Sequence, residues 1–186
     1  NENDAQENDL IAQIYRDSLL QCKEVPSNVR AFMSAPTLLF HKKYDNAIHI
    51  LDSVYKSYAP YSRDAGIIAY SLASAYQGKN DSENMIKYFA ISAISDVLNG
   101  ARENLSLKIL AKLIFESGDI DRAYKYMKNA MEDAILCNAR INTIEASDMY
   151  LFIDKAFQEK EKNKFITITI LLVALCFVCI LLCALF

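Results

Sequence analysis

Glycine, proline and histidine are scarce in this chain and tryptophan is absent: four Gly, three Pro and two His in 186 residues. So few breakers leave little room for loops or turns. No Gly-rich phosphate loop can be drawn, and no Ser or Cys stands in a nucleophile-elbow context. His41 and His49 flank Tyr44, with only Asp45 and Asp52 near them. Both are expected to be exposed polar side chains, because a metal or general-base site needs partners that this stretch lacks. Basic clusters of the kind that grip a phosphate backbone are also missing. The net charge is −3, and the first residues are acidic (Glu2, Asp4, Glu7, Asp9), so no nucleic acid is expected on this portion. Nothing points to an enzyme, and no cofactor or metal is expected.

The five cysteines divide unevenly. Cys22 and Cys137 are lone residues on separate helices; an oxidising compartment would allow a bridge, but there is no disulfide framework. Cys176, Cys179 and Cys183 share one helix face inside an apolar tract. Without an imidazole or charged fourth ligand they read as small apolar membrane residues.

That tract, Phe165–Phe186, contains no charge, Pro, Gly, Asn or Gln. At about 1.5 Å per residue it reaches roughly 33 Å, enough to cross a hydrocarbon core of about 30 Å. A soluble helix would show water a polar stripe, and a signal peptide would lie at the other end of the chain. A single membrane-spanning helix is expected. The chain opens without Met and stops at Phe186, so the expectation is a cleaved or trimmed start, or a fragment.

Apolar residues recur at i, i+3 and i+4 from residue 10 to 160, and no segment alternates with period two, so the soluble part reads as all-α. Leu10, Ile11, Ile14, Tyr15, Ser18, Leu19 and Cys22 form the stripe of a first helix. Val25-Pro26-Ser27-Asn28 breaks it, and Pro36 is expected to interrupt the next segment. Tyr44–Tyr58 follows, with Ala47, Ile48, Leu51, Val54 and Tyr55 inward. Ser62 or Asp64 can cap a helix carrying Ile67, Ile68, Leu72, Ala73 and Tyr76. Beyond a turn at 78–82 come Met85–Leu98, Arg102–Glu116, a turn at 117–119, and Ile120–Asn138. Ile141–Lys164 is helical and positioned to run on into the membrane tract.

A shift of 38 residues superposes two helix pairs. Leu72 and Ala73 fall on Leu110 and Ala111, Tyr76 on Ile114, Tyr88 on Tyr126, Phe89 on Met127, and Asn80 on Gly118. A weaker third unit is suggested by Ala47, Leu51 and Val54 after Tyr44-Asp45-Asn46. Such hairpins cannot bury their apolar faces alone and must stack. Leu110-Ala111-x-x-Ile114-x-x-x-Gly118-Asp-Ile-Asp-x-Ala123-x-x-x-Met127-x-x-Ala130 resembles a tetratricopeptide repeat. The period of 38, rather than about 34, and the missing Trp depart from that pattern. The expected architecture is therefore tetratricopeptide-like helical hairpin repeats followed by a C-terminal transmembrane helix. Its divisions are an N-terminal helix at 1–26 that is a remnant of an earlier repeat, repeats at 27–140, a helical connector at 141–164, and the membrane helix at 165–186.

A narrower resemblance rests on Ala93-Ile-Ser-Asp96, Arg102-Glu103, Ser106-Leu107, Gly118-Asp119-Ile-Asp-Arg122-Ala123-Tyr124-x-Tyr126, Asp133-Ala134 and Cys137-Asn138-Ala139-Arg140. Over roughly residues 40–186 the chain is similar to a bacterial family of membrane-anchored tetratricopeptide proteins from Gram-negative anaerobes. The region they share is a domain of unknown function. The resemblance implies an exported repeat domain, one inner-membrane helix and a cytoplasmic helical tail that regulates transcription, of which this chain holds the sensory part. The repeats would then lie in the periplasm. Lys155, Lys160, Lys162 and Lys164 argue the other way, since basic flanks favour the cytoplasmic side.

The charged residues at the interhelical turns (Asp96, Arg102, Glu103, then Asp119, Asp121, Arg122, Asp133) read as caps and ion pairs rather than a carboxylate site. What remains is a surface. In repeats of this type the first helices line a concave groove, which places Tyr70, Ser74 and Gln77 from one unit and Lys108, Lys112 and Phe115 from the next on a partner-binding face. Two lysines beside a Phe and a Tyr would suit an acidic peptide. Two functions follow. One is a sensor of a peptide or protein partner that signals across the membrane, with a homodimer as one means of doing so. The other is a passive membrane-tethered scaffold. A coiled-coil or helix-turn-helix extension after Phe186 would favour the first, and a stop codon there the second.

Overall fold

In the computed structural model, residues 2–22, 24–102, 105–137 and 140–185 are described, the side chains of 2–10, 13 and 140–146 excepted. Glu103, Asn138 and Ala139, and the side chains of the acidic N-terminal residues and of Arg140, therefore lie outside the described residues. Among those described there are eight α-helices and no strand. They are α1 (Glu2–Gln21), α2 (Ser27–Phe40), α3 (Tyr44–Tyr55), α4 (Arg63–Gly78), α5 (Ser82–Leu98), α6 (Leu105–Glu116), α7 (Ile120–Leu136) and α8 (Arg140–Leu185). The chain forms two compact units, 1–110 and 111–186.

Three turns explain why the hairpins repeat. Lys42, Asn80 and Gly118, each 38 residues from the next, all adopt positive φ (56°, 59° and 91°). The residue after each opens the following helix, and at Asp81 and Asp119 its carboxylate accepts a hydrogen bond from the N–H three residues on. One left-handed residue reverses the chain, and the next caps the second helix. Gly118 takes this conformation without a Cβ clash, Asn80 tolerates it, and Lys42 bears its cost. The same spacing places Ala35, Ala73 and Ala111 at full burial on the first helices, and Leu51, Phe89 and Met127 at or near it on the second. Small residues against large ones let paired helices approach closely.

The third hairpin, α2–α3, is thus as regular as the others. Pro36, expected to interrupt, lies inside an unbroken α2. It cannot donate to the Phe32 carbonyl. The adjoining Ala35 is wholly buried where α2 packs on α3, and this packing carries the helix past the missing bond.

In the first unit α4 and α5 form the tightest pair. A Cβ on Gly66 would stand 2.6 Å from that of Ser95, so glycine is what permits this crossing. Phe89 meets Tyr70 edge-on at 5.6 Å, while Tyr88 stacks on Tyr76 and meets Tyr55 edge-on. Ser62, one of the two expected caps, accepts from the Ala65 N–H. Ile67, grouped by periodicity with the inward face of α4, is instead 47% exposed. On α1 the stripe residues Ile11, Ile14, Tyr15 and Leu19 stay exposed beside α2.

In the second unit the end of α6 packs with α7 and the start of α8 around Ala111, Ala123, Met127 and Ile153, all wholly buried. Tyr124 stacks on Phe157 at 4.1 Å. Lys160 reaches back to Asp121 at 2.7 Å. The helix then continues without a break through Leu185, and every residue from Phe165 to Leu185 is exposed. Its apolar stretch has mean hydropathy 3.2. Long, unbroken and apolar on all sides, this end of α8 has the length and composition to cross a membrane once.

Candidate partner-binding site

The six residues assigned to a groove from the repeat pattern take up different environments. Tyr70 is half-buried on the inner side of α4, and burial pushes its phenol pKa upward. The Ser74 hydroxyl donates to the Tyr70 carbonyl at 3.0 Å. Gln77 is exposed in the last turn of α4. Lys108 is half-buried on α6; one turn on, Lys112 is exposed and lies 3.9 Å from Glu116. Phe115 packs against the core of the second unit and meets Phe152 edge-on at 5.3 Å. Tyr70, Ser74, Gln77 and Lys108 belong to the first unit, and Lys112 and Phe115 to the second. His41 and His49 are exposed, as expected of surface polar residues.

Two concavities lie within the first unit, and the exposed Ile67 is common to both. One, of about 330 Å³, is apolar, formed by Val29, Phe32 and Met33 of α2, by Tyr58, and by Asp64, Ile67 and Ile68 of α4. The other, of about 240 Å³, has more polar side chains in its lining: Tyr70 and Ser71 of α4, Ser92 and Asp96 of α5, and Leu105 and Ser106 of α6 complete it with Ile67. Its floor is tied by a buried hydrogen bond of 2.7 Å from the Ser106 hydroxyl to Ser92, which holds α5 to the start of α6.

Asp96 departs from the expectation for turn carboxylates. Asp119 caps α7 and pairs with Arg122 at 2.6 Å, and Asp121 pairs with Lys160. Asp96 does neither. Among the described residues no hydrogen bond or ion pair satisfies its carboxylate, and desolvation by burial raises its pKa to about 6. At neutral pH this is a charged group held partly out of water without a counter-charge, a costly arrangement unless something else supplies one. Periodicity could not reveal it, because the cavity is made where three helices meet. The sequence did carry a signal: Ser92 and Asp96 stand one turn apart toward the end of α5, which puts two polar side chains on one face of that helix.

Antiparallel helical hairpins, joined by the same left-handed turn and interleaving small with large residues, define a repeat protein of the tetratricopeptide type. That class generally mediates contacts between proteins. The chain belongs to the SusR N-terminal TPR domain family, whose model matches residues 1–148, and is thus a bacterial tetratricopeptide-repeat protein. The match takes in α1 and stops within α8, short of the apolar end. No curated protein matches the chain.

Proposed function

We propose that this protein is a membrane-anchored sensor: its repeats bind a peptide or protein partner, and α8 carries the change across the bacterial inner membrane to a regulatory module. One observation carries the reading. Helix α8 is at once the last core element of the repeats and the membrane helix. Ile153 is wholly buried against α6 and α7, and the same unbroken helix reaches Leu185. A passive tether needs no such continuity; a flexible linker would serve. In this reading the protein acts by binding and not by catalysis, and a homodimer in the membrane is one way to transmit.

Coupling is tested with a nitroxide on Cys179, the other cysteines replaced by serine, and the full chain in lipid bilayers. Ile153→Ala loosens the upstream packing and is expected to change the label's mobility. Inserting Gly-Gly between Lys162 and Asn163 is expected to abolish that response. A label indifferent to Ile153→Ala in the continuous helix would leave only the scaffold.

The repeats are assigned to the periplasm. The resemblance to exported, membrane-anchored repeat proteins supports this side, against the basic flank of Lys155, Lys160, Lys162 and Lys164. Cys22 is exposed and suits a topology test in a Cys137→Ser chain. An impermeant maleimide is expected to label it once the outer membrane is opened. Labelling that waits for disruption of the inner membrane places the repeats in the cytoplasm.

A further inference from the structure

The two concavities on either side of Ile67 differ in how many polar side chains line them and share a charge sign. Asp64 borders the first and Asp96 the second, and among the described residues neither is lined by Lys or Arg. Asp96 is the sharper case: a half-buried carboxylate that shares its cavity with Tyr70 and the Ser71, Ser92 and Ser106 side chains, with no cation among the described residues to meet it. We infer that the Asp96 cavity receives the Lys or Arg side chain of an extended partner segment, whose neighbouring apolar side chain fills the pocket across Ile67. This rests on the reading of the repeats as an interaction module and adds what the partner must carry.

The chemistry is complementary on each side. An ammonium or guanidinium would supply the missing counter-charge, donate to Asp96 and lie beside an aromatic ring, a combination that favours cations over anions or neutral amides. The serine hydroxyls can accept the remaining N–H groups. Across Ile67, Val29, Phe32 and Met33 offer an apolar surface, and Met adapts readily to different side chains. An acidic segment would meet two carboxylates and, among the described residues lining this groove, no base.

The test selects peptides from a random heptapeptide library on the full chain in lipid nanodiscs, with empty nanodiscs as background. Expected is enrichment of Lys or Arg close to a large apolar residue. For a selected peptide, Asp96→Asn should weaken binding about tenfold, and Lys or Arg→Gln in the peptide should do the same without adding to it. Ile67→Lys, at an exposed position between the two concavities, should also weaken binding without disturbing the core.

The pH response has a defined sign. The carboxylate must be charged to hold the cation, so affinity falls as pH drops through about 6, and the Asp96→Asn chain shows no such fall. Among the described residues lining the cavity, Tyr70 on α4 is the other titratable group and stays neutral over that range; α6 contributes only Leu105 and Ser106. Selection of acidic or neutral peptides, or basic ones indifferent to Asp96→Asn, overturns the inference and leaves the interaction module standing. No enrichment over empty nanodiscs overturns both.

Discussion

The double substitution Leu175→Arg and Val178→Arg releases the full chain from the membrane. Both residues lie near the middle of the apolar end of α8, and both are exposed around it. Each large aliphatic or aromatic residue there favours insertion by about 0.3–0.6 kcal/mol, and each central Arg opposes it by about 2.5–3.5 kcal/mol. Two arginines therefore offset most of what the whole tract contributes. One alone could still snorkel or draw in water. The measurement is alkaline-carbonate extraction of membranes. The unaltered chain is expected to stay in the pellet and the double variant to move to the supernatant. A Lys162→Ala chain should remain membrane-bound, because that residue lies before the tract. Retention of the double variant in the pellet would show that something other than this helix holds the protein there.

Phe89→Ala has the largest expected effect on the repeats themselves. Phe89 is 1% exposed, sits where α5 crosses α4, and meets the Tyr70 ring. Removing it loses the transfer energy of a phenyl group and leaves a cavity between two helices that already touch at Gly66. The cost is about 3–5 kcal/mol, a large part of the 5–15 kcal/mol that holds a typical domain folded. Urea denaturation of the chain in micelles, followed by circular dichroism, is the measurement. At the corresponding site of the next repeat, Met127→Ala should cost about 2–5 kcal/mol and act chiefly on the second unit, because repeats are stabilised by their nearest neighbours. A loss below about 1 kcal/mol for Phe89→Ala would contradict the packing of α4 on α5. Tyr70 rests on Phe89, so the variant should also loosen the Asp96 cavity and weaken any ligand held there.

These two sites differ in how plainly the sequence announced them. Phe89 is legible as a core residue because it repeats Met127 at a distance of 38 and falls on a helical stripe. Ala35 repeats Ala73 and Ala111 just as faithfully, yet it stands next to Pro36, and a local helix-breaking rule obscures the α2 half of its hairpin. Tertiary packing outweighs that rule because α2 has α3 to rest on. Phe115 shows the opposite: a position assigned to a binding face by repeat register packs against Phe152, because α8 lies alongside α6 and α7 in the second unit. Ile67 was grouped with the inward face by spacing and instead stands exposed between two concavities.

The apolar helix at the end of the chain, the turns at Asn80 and Gly118, and the hairpin period were determined by sequence alone. Each rests on local physics: hydropathy over one helix length, a residue that tolerates positive φ, and burial recurring with the helical period. The run of Ile141–Lys164 into that helix was also legible. Only the tertiary structure decided that this stretch, through Ile153, belongs to a repeat core, and that Asp96 stands in a cavity built by three helices without a counter-charge among the described residues. Those features depend on which side chains from distant segments come within a few ångströms of one another. A linear pattern records the faces of helices and is silent on which faces meet.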